Sequence, residues 1–239
     1  MRHCPRRSHR SEISRHATSV AIGALSLLLG ACTTMPPTGH GDWQAMTLPG
    51  KALTHYHWTE KDGRPALAAE SERSASLWRK RLDPAVQAPG EVRFSWWVQD
   101  LVPGGSVADI DREDAPARLI FAFAGDIRNL PLRTRAMFEL AHALTGEAPP
   151  YATLMYVWDS SLPVGTVVIN GRSDRVRKIV VDSGPTELRR WRDHSRDLAA
   201  DFRLAFGEEP GALTAVAVMS DSDNTRTRCK AWYGAVHWE

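Results

Sequence analysis

The stretch EVRFSWWVQD, residues 91–100, decides the fold. Val92, Phe94, Trp96 and Val98 fall on one parity, with Arg93 and Ser95 between them. A two-residue period is that of a half-buried strand, since successive side chains leave opposite faces. Outward from it, ARLIFAFAG (117–125) is a compact strand-like run, YATLMYVWD (151–159) continues the alternation, and GTVVIN (165–170) and VRKIVVDSG (176–184) follow, each closed by turn residues. GALTAVAVMS (211–220) and CKAWYGAVHWE (229–239) complete the series. In 151–159, Leu154, Tyr156 and Trp158 share one side. Upstream, LTHYHWTEKDG (53–63) and PALAAESERSASLWRK (65–80) are predicted to pair across an Asp62-Gly63 turn. Two segments have helical spacing instead. Residues 130–146 place Leu132, Met137, Leu140, Ala141 and Leu144 near one face and stop at Gly146. Residues 191–207 place Leu198, Phe202, Ala205 and Phe206 at helical spacing and stop at Gly207. Many strands, few helices and no strand–helix alternation predict an all-β-leaning antiparallel, jelly-roll-like β-sandwich with one or two packed helices.

The beginning of the chain reads differently. Residues 1–16 hold Arg2, Arg6, Arg7, Arg10 and Arg15 against one acid, Glu12. An uncharged apolar run, ATSVAIGALSLLLGA, follows at 17–31. It is shorter than the ~20 residues a spanning helix needs, and the order of basic, apolar and small residues is that of a secretory signal. LGAC, 29–32, resembles the lipobox of bacterial lipoproteins. That resemblance implies cleavage before Cys32, acyl chains on Cys32 and anchoring to a membrane. Thr33, not Asp, follows Cys32, which by resemblance to enteric sorting implies a periplasm-facing outer-membrane lipoprotein. The expected organisation is a signal at 1–31, a lipidated tether at 32–42 rich in Pro and Gly, and one domain at 43–239.

Without residues 1–31 the chain keeps 25 basic and 27 acidic residues, so the basic excess belongs to the signal. Nothing then argues for nucleic acid as a partner. Of three cysteines, Cys4 leaves with the signal, Cys32 is expected to carry lipid, and Cys229 has no disulfide partner. Cys229 is read as a buried strand residue.

Seven segments also carry a family resemblance. SERSASLW (71–78), EDAPARLIFAF (113–123), YVW (156–158), VVDSGP (180–185), WRDHSRDLAADFRLAFG (191–207), VAVMSDSDNT (216–225) and WYGAVHW (232–238) occur in that order. Together they resemble the bacterial family catalogued as domain of unknown function 3047, over about residues 43–239. The resemblance implies an envelope protein of Gram-negative bacteria, and its motif order is similar to that of sugar-binding sandwiches. Where such sandwiches carry an acid after Tyr-Gly, this chain has Ala235, which weakens the expectation of a structural calcium.

The polar segment DSDNT, 221–225, offers Asp221, Asp223 and Asn224 as hard oxygen ligands. An EF-hand starting at Asp221 would need Gly and Glu where Arg226 and Trp232 stand. The first reading is therefore a turn whose side chains cap their own backbone, with no cofactor. A loose calcium site on Asp221 and Asp223 is the alternative. Glu113 and Asp114 beside Arg118 read as an ion-paired loop first and as general acid–base carboxylates second. His55 and His57 share a strand face but lack a third marked ligand. In SWWV, Trp96 shares the apolar parity, so Trp97 is expected to be the exposed ring.

These readings converge on a lipid-anchored envelope domain that binds a glycan without catalysis. Its groove would be lined by some of Trp97, Tyr156, Trp158 and Trp232, with polar contacts from Asp114, Arg118, Asp221, Asp223 and Asn224. One alternative is an enzyme on envelope polysaccharide using Glu113 or Asp114 with Asp221 or Asp223. Another is an assembly lipoprotein with a protein partner.

Overall fold

The computed structural model describes residues 42–239. The signal, Cys32 and most of the tether lie outside the described residues. Strands β1 (Trp43–Thr47), β2 (His55–Lys61), β3 (Arg64–Glu72), β4 (Ser76–Val86), β5 (Glu91–Val98) and β6 (Arg118–Phe123) precede helix α1 (Leu132–Thr145). Strands β7 (Ala152–Asp159), β8 (Val167–Asn170), β9 (Ser173–Ser183) and β10 (Trp191–Asp197) lead to α2 (Leu198–Phe206). Strands β11 (Leu213–Met219), β12 (Arg228–Tyr233) and β13 (His237–Trp238) close the chain.

Two sheets stack as a jelly-roll-like sandwich. The larger runs β1-β4-β11-β6-β7-β9-β8 and the smaller β10-β5-β12-β3-β2, with β13 also on β5. Pairing is antiparallel except between β7 and β9, which run parallel. The parity read from 91–100 is the buried one. Val92, Phe94, Trp96 and Val98 meet Leu119, Phe121 and Phe123 of β6 and Leu154, Tyr156 and Trp158 of β7 across the core. Fully burying such side chains contributes about 1.5–3 kcal/mol each relative to exposure. Leu198, Phe202 and Ala205 of α2 join the same core.

Four expectations need correction. Residues 65–80 are not one strand. The chain turns at Arg73, where φ is +49°, and Ser71 donates to the Ser74 carbonyl at 2.9 Å, so β3 and β4 enter different sheets. Residues 191–197 are strand, not helix. Every one of them pairs with β5, and the helix begins only after Asp197, which accepts the Ala200 N–H at 2.8 Å as its N-cap. The helix read at 130–146 forms and ends on a left-handed Gly146, but its apolar face points outward: Leu132 is 74% and Leu144 71% exposed. Trp97 is buried, not exposed.

One carboxylate ties the sheets together. Asp182 of β9 accepts Trp96 Nε1–H of β5 at 2.7 Å and lies 2.8 Å from His194 Nε2 of β10. Arg192 Nη2 is 3.1 Å from its other oxygen.

Candidate functional site

On the outer face of the larger sheet, register lays side chains in rows. Leu77, Met219, Arg118 and Val157 are successive partners in one row. Arg79, Ala217, Ile120, Met155 and Lys178 follow in the next, then Arg81, Ala215, Ala122, Thr153 and Val176. Alanine at 122, 215 and 217 sets short side chains among bulkier ones, which leaves a trough. Leu48, from the segment after β1, joins Leu77, Ile120, Met155, Ala217 and Met219 around it. The resulting cleft is about 410 Å³ and mostly apolar. A concave apolar lining with few polar groups is the usual form of a small-molecule site, and methionine adapts to irregular ligands.

Charges stand at both ends. At one, Arg118 Nε and Nη2 donate to the two oxygens of Asp221 at 2.8 and 3.0 Å, and Nη2 also donates to the Glu113 carbonyl at 2.8 Å. Burial opposes the guanidinium charge, but Asp221 outweighs it and Arg118 is raised above its ordinary pKa. Burial of Asp221 works the other way, pushing its carboxyl up to about 6. With two bonds to a guanidinium that is itself raised, the ionised pair is the state the geometry supports. Beside it Glu113 is held by Lys178 Nζ at 2.7 Å, Asn170 Nδ2 at 2.8 Å and Arg172 Nη1 at 3.3 Å. At the other end Arg79 and Arg81 reach Glu147 at 2.6 and 2.9 Å. The Arg79 hydrogen bond holds the Glu147 carboxyl below its usual range.

The residues singled out in 113–118 and 221–225 do meet in space, as a lock between loops. Asp114 accepts from Thr225 N–H and O–H, both at 2.7 Å, and from Asn224 N–H at 3.2 Å. Asp221 accepts the Ala115 N–H at 3.1 Å, and Asn224 Nδ2 donates to the Ile110 carbonyl at 3.3 Å. Asp114, Asp221 and Asp223 bring one oxygen each within 4.8 Å of one another. This spacing would suit a cation, yet positive charge is already supplied by Arg118 on Asp221 and Lys51 on Asp223. The donor set therefore fits a self-neutralised turn better than calcium. His55 and His57 do share a face of β2, with ring centroids 5.0 Å apart. Among the described residues they join no group of three metal-ligating side chains. Cys229 lies buried in β12, where burial pushes its thiol well up.

The four aromatic candidates do not line one groove. Tyr156 and Trp158 point into the core and are 0% exposed, so neither reaches a ligand. The Tyr156 hydroxyl donates to Asp201 of α2 at 2.6 Å. Trp97 and Trp232 lie on the outer face of the smaller sheet, in a row running His57, Ala68, Trp232, Trp97, Trp191. Their rings meet edge to face at 4.9 Å, with Lys61 Nζ 4.0 Å above the Trp97 ring. Trp97 Nε1–H is buried without an acceptor. A larger, more polar hollow of about 970 Å³ opens nearby over Glu70, Arg228 and Lys230.

The charged motifs of the sequence do not mark the apolar cleft. Its signal was present: β6, β7 and β11 carry Ile120, Met155, Ala217 and Met219 on the parity opposite the core, so these strands are apolar on both faces.

A two-sheet β-sandwich with an open apolar cleft on its larger sheet is the class this chain represents. It belongs to the family described as "Protein of unknown function (DUF3047)", whose model matches residues 41–237. No curated protein matches the chain by sequence. Among solved structures it is similar to a family 11 xylanase from Neocallimastix patriciarum, at 11% identity and a TM-score of 0.37, covering 82% of this chain and 99% of that one. The cellulose-induced protein Cip1 is similar at 9% identity and 0.37, covering 84% and 92%. A family 12 xyloglucanase from Bacillus licheniformis follows at 8% and 0.35, covering 82% and 85%. At such values these are likenesses of outline and carry nothing about chemistry.

Proposed function

We propose that this chain is a non-catalytic binding protein of the cell envelope whose ligand has a long apolar body, such as an acyl chain, and an anionic head. One observation carries the reading: the cleft floor is aliphatic and methionine-lined, with no aromatic ring on it. The apolar body would lie over Ala215 and Ala217, and the head beside Arg79 and Arg81, whose two charges face the single carboxylate of Glu147. Catalysis by paired carboxylates is disfavoured. Glu113 and Asp221 already accept from Lys178, Arg172 and Arg118, which quenches a base and leaves no proton for an acid.

The described residues 42–239 lie in one compact unit, so a chain starting at Pro37 serves for the test. Titrated with a fluorescent acyl probe, it is expected to bind, and Ala217→Trp to weaken binding by about ten-fold or more by filling the trough. Equal binding by the variant would exclude the cleft. A glycan is the second reading, on the smaller sheet, favoured by the unpaired Trp97 Nε1–H. A sugar there would displace Lys61 and accept from that indole. Oligosaccharides in the same titration separate the two, since their binding would ignore Ala217→Trp.

The envelope placement rests on the leading segment. LGAC at 29–32 supports acylation of Cys32 and an outer-membrane, periplasm-facing location. Cys32→Ala is expected to move the chain from the membrane to the soluble fraction. A variant that still sediments with membranes would refute lipidation there.

A further inference from the structure

The smaller sheet carries a concavity of its own, on its outer face. Along β12, Cys229, Ala231 and Tyr233 are buried inward, so Arg228, Lys230 and Trp232 leave the opposite face. Register sets Glu72 beside Arg228 and Glu70 beside Lys230, with His55 of β2 next to Glu70. Gln99 and Asp100, after β5, and Arg73 and Arg226, from two turns, complete the hollow of about 970 Å³. The two turns are tied together: Arg73 N–H donates to the Thr227 carbonyl at 2.9 Å, and Ser222 N–H to the Ser74 carbonyl at 3.1 Å. The size falls at the upper end of the ~300–1,000 Å³ usual for ligand pockets.

Charge in this hollow does not cancel. Glu70 accepts from Lys230, and that bond holds its carboxyl below the usual range. Asp100 pairs with Arg189 Nη2 at 2.7 Å, and Glu72 comes within 3.6 Å of Arg73. Each acid on the lining thus has its own cation. Among the described residues no carboxylate pairs with Arg226 or Arg228. Elsewhere on this sheet arginines are neutralised, Arg64 by Asp193 and Arg93 by Glu239. Two guanidiniums without an anion, two residues apart and facing one hollow, suit an acidic group, because their forked donors match carboxylate and phosphate oxygens.

The carboxylates narrow the ligand further. A bare anion on Arg228 would sit beside Glu72, and like charge disfavours it. A sugar with one acidic group meets both demands. Its acid would lie on Arg226 and Arg228, and its hydroxyls would donate to Glu72 and Asp100, both exposed. No Trp, Tyr or Phe lines the hollow, so charge and hydrogen bonds rather than stacking would hold such a ligand.

We infer that this hollow binds a sugar bearing an acidic group, a sugar acid or a sugar phosphate, anchored by Arg226 and Arg228. The inference goes beyond the acyl reading, since it uses the other sheet and none of the cleft's side chains, and its anchor is separate from Trp97. The test is calorimetric titration of the Pro37–Glu239 chain with glucuronate, glucose 6-phosphate, glucose and inorganic phosphate. At least one acidic sugar is expected to bind about ten-fold or more tightly than glucose and than phosphate, and the preferred one distinguishes carboxylate from phosphate. Arg226→Gln/Arg228→Gln, at exposed positions and checked for an unchanged melting temperature, is expected to bring that sugar down to the level of glucose. Arg128→Gln/Arg133→Gln removes the same charge outside the hollow and is expected to bind like wild type. Acidic sugars that bind no better than glucose, phosphate that binds as well alone, or a preference that survives Arg226→Gln/Arg228→Gln or falls equally in Arg128→Gln/Arg133→Gln overturns the inference.

Discussion

Arg118→Met is expected to destabilise the protein by about 3–5 kcal/mol, because it removes one partner of a buried ion pair and leaves the other. Asp221 is 4% exposed, and without the guanidinium its remaining donor is the Ala115 N–H. The Glu113 carbonyl loses a donor as well. The double variant Arg118→Met/Asp221→Leu removes both charges and is expected to recover most of the loss. Urea unfolding measures both, with an unchanged slope indicating that stability rather than compactness has moved. A loss below about 1 kcal/mol for the single variant would mean that water reaches the pair.

Asp182→Ala is the second large effect, expected at about 3 kcal/mol, since hydrogen bonds to charged groups contribute about 1.5–3 kcal/mol each and here several share one carboxylate. The variant strands the Trp96 indole N–H inside the core and unties β9 from β5 and β10. Its pH dependence identifies the cause. Burial works to raise the Asp182 carboxyl, but the bonds from His194 and Trp96, with the nearby Arg192, outweigh it and hold its pKa below the ordinary value. A group depressed in the folded state contributes stability above its unfolded pKa, about 3.9 for Asp, and loses it as pH falls through the folded value. The gap between wild type and variant should therefore be full at neutral pH and narrow below about pH 4. A gap that is constant across this range would assign the effect to packing alone.

Strand content was legible in the sequence because burial on one face imposes a two-residue period, which β5 obeys, while β6 and β11, apolar on both faces, show as short near-continuous apolar runs. The Asp62-Gly63 turn was legible from its residues, which supply φ of +50° and +76°. What misled was composition without pairing. WRDHSRD contains no alternation of apolar residues, yet β5 offers it seven backbone partners, and a ladder overrides weak propensity. Asp114, Arg118 and Asp221 were singled out as polar candidates, but whether they face one another in space was left open by the sequence, and the structure brings Arg118 of β6 onto Asp221. Their role was not legible: whether carboxylates face a ligand or an arginine depends on geometry that spacing does not encode. Tyr156 and Trp158 shared their parity with Leu154, and that parity already placed them in the core. Trp97 stands on the opposite parity, and neighbours from distant segments, among them Trp232, Trp191 and Lys61, cover it.

Strand order also sets when this chain is able to fold. β11 sits between β4 and β6 in one sheet, and β12 between β5 and β3 in the other. Both are central, and both come from residues 213–239. Until that last segment has been synthesised, each half of the sandwich is two separate ribbons with no strand to join them. The pairings that complete both sheets are therefore non-local, and truncation before Leu213 is expected to leave each sheet in two parts, read as loss of a cooperative unfolding transition.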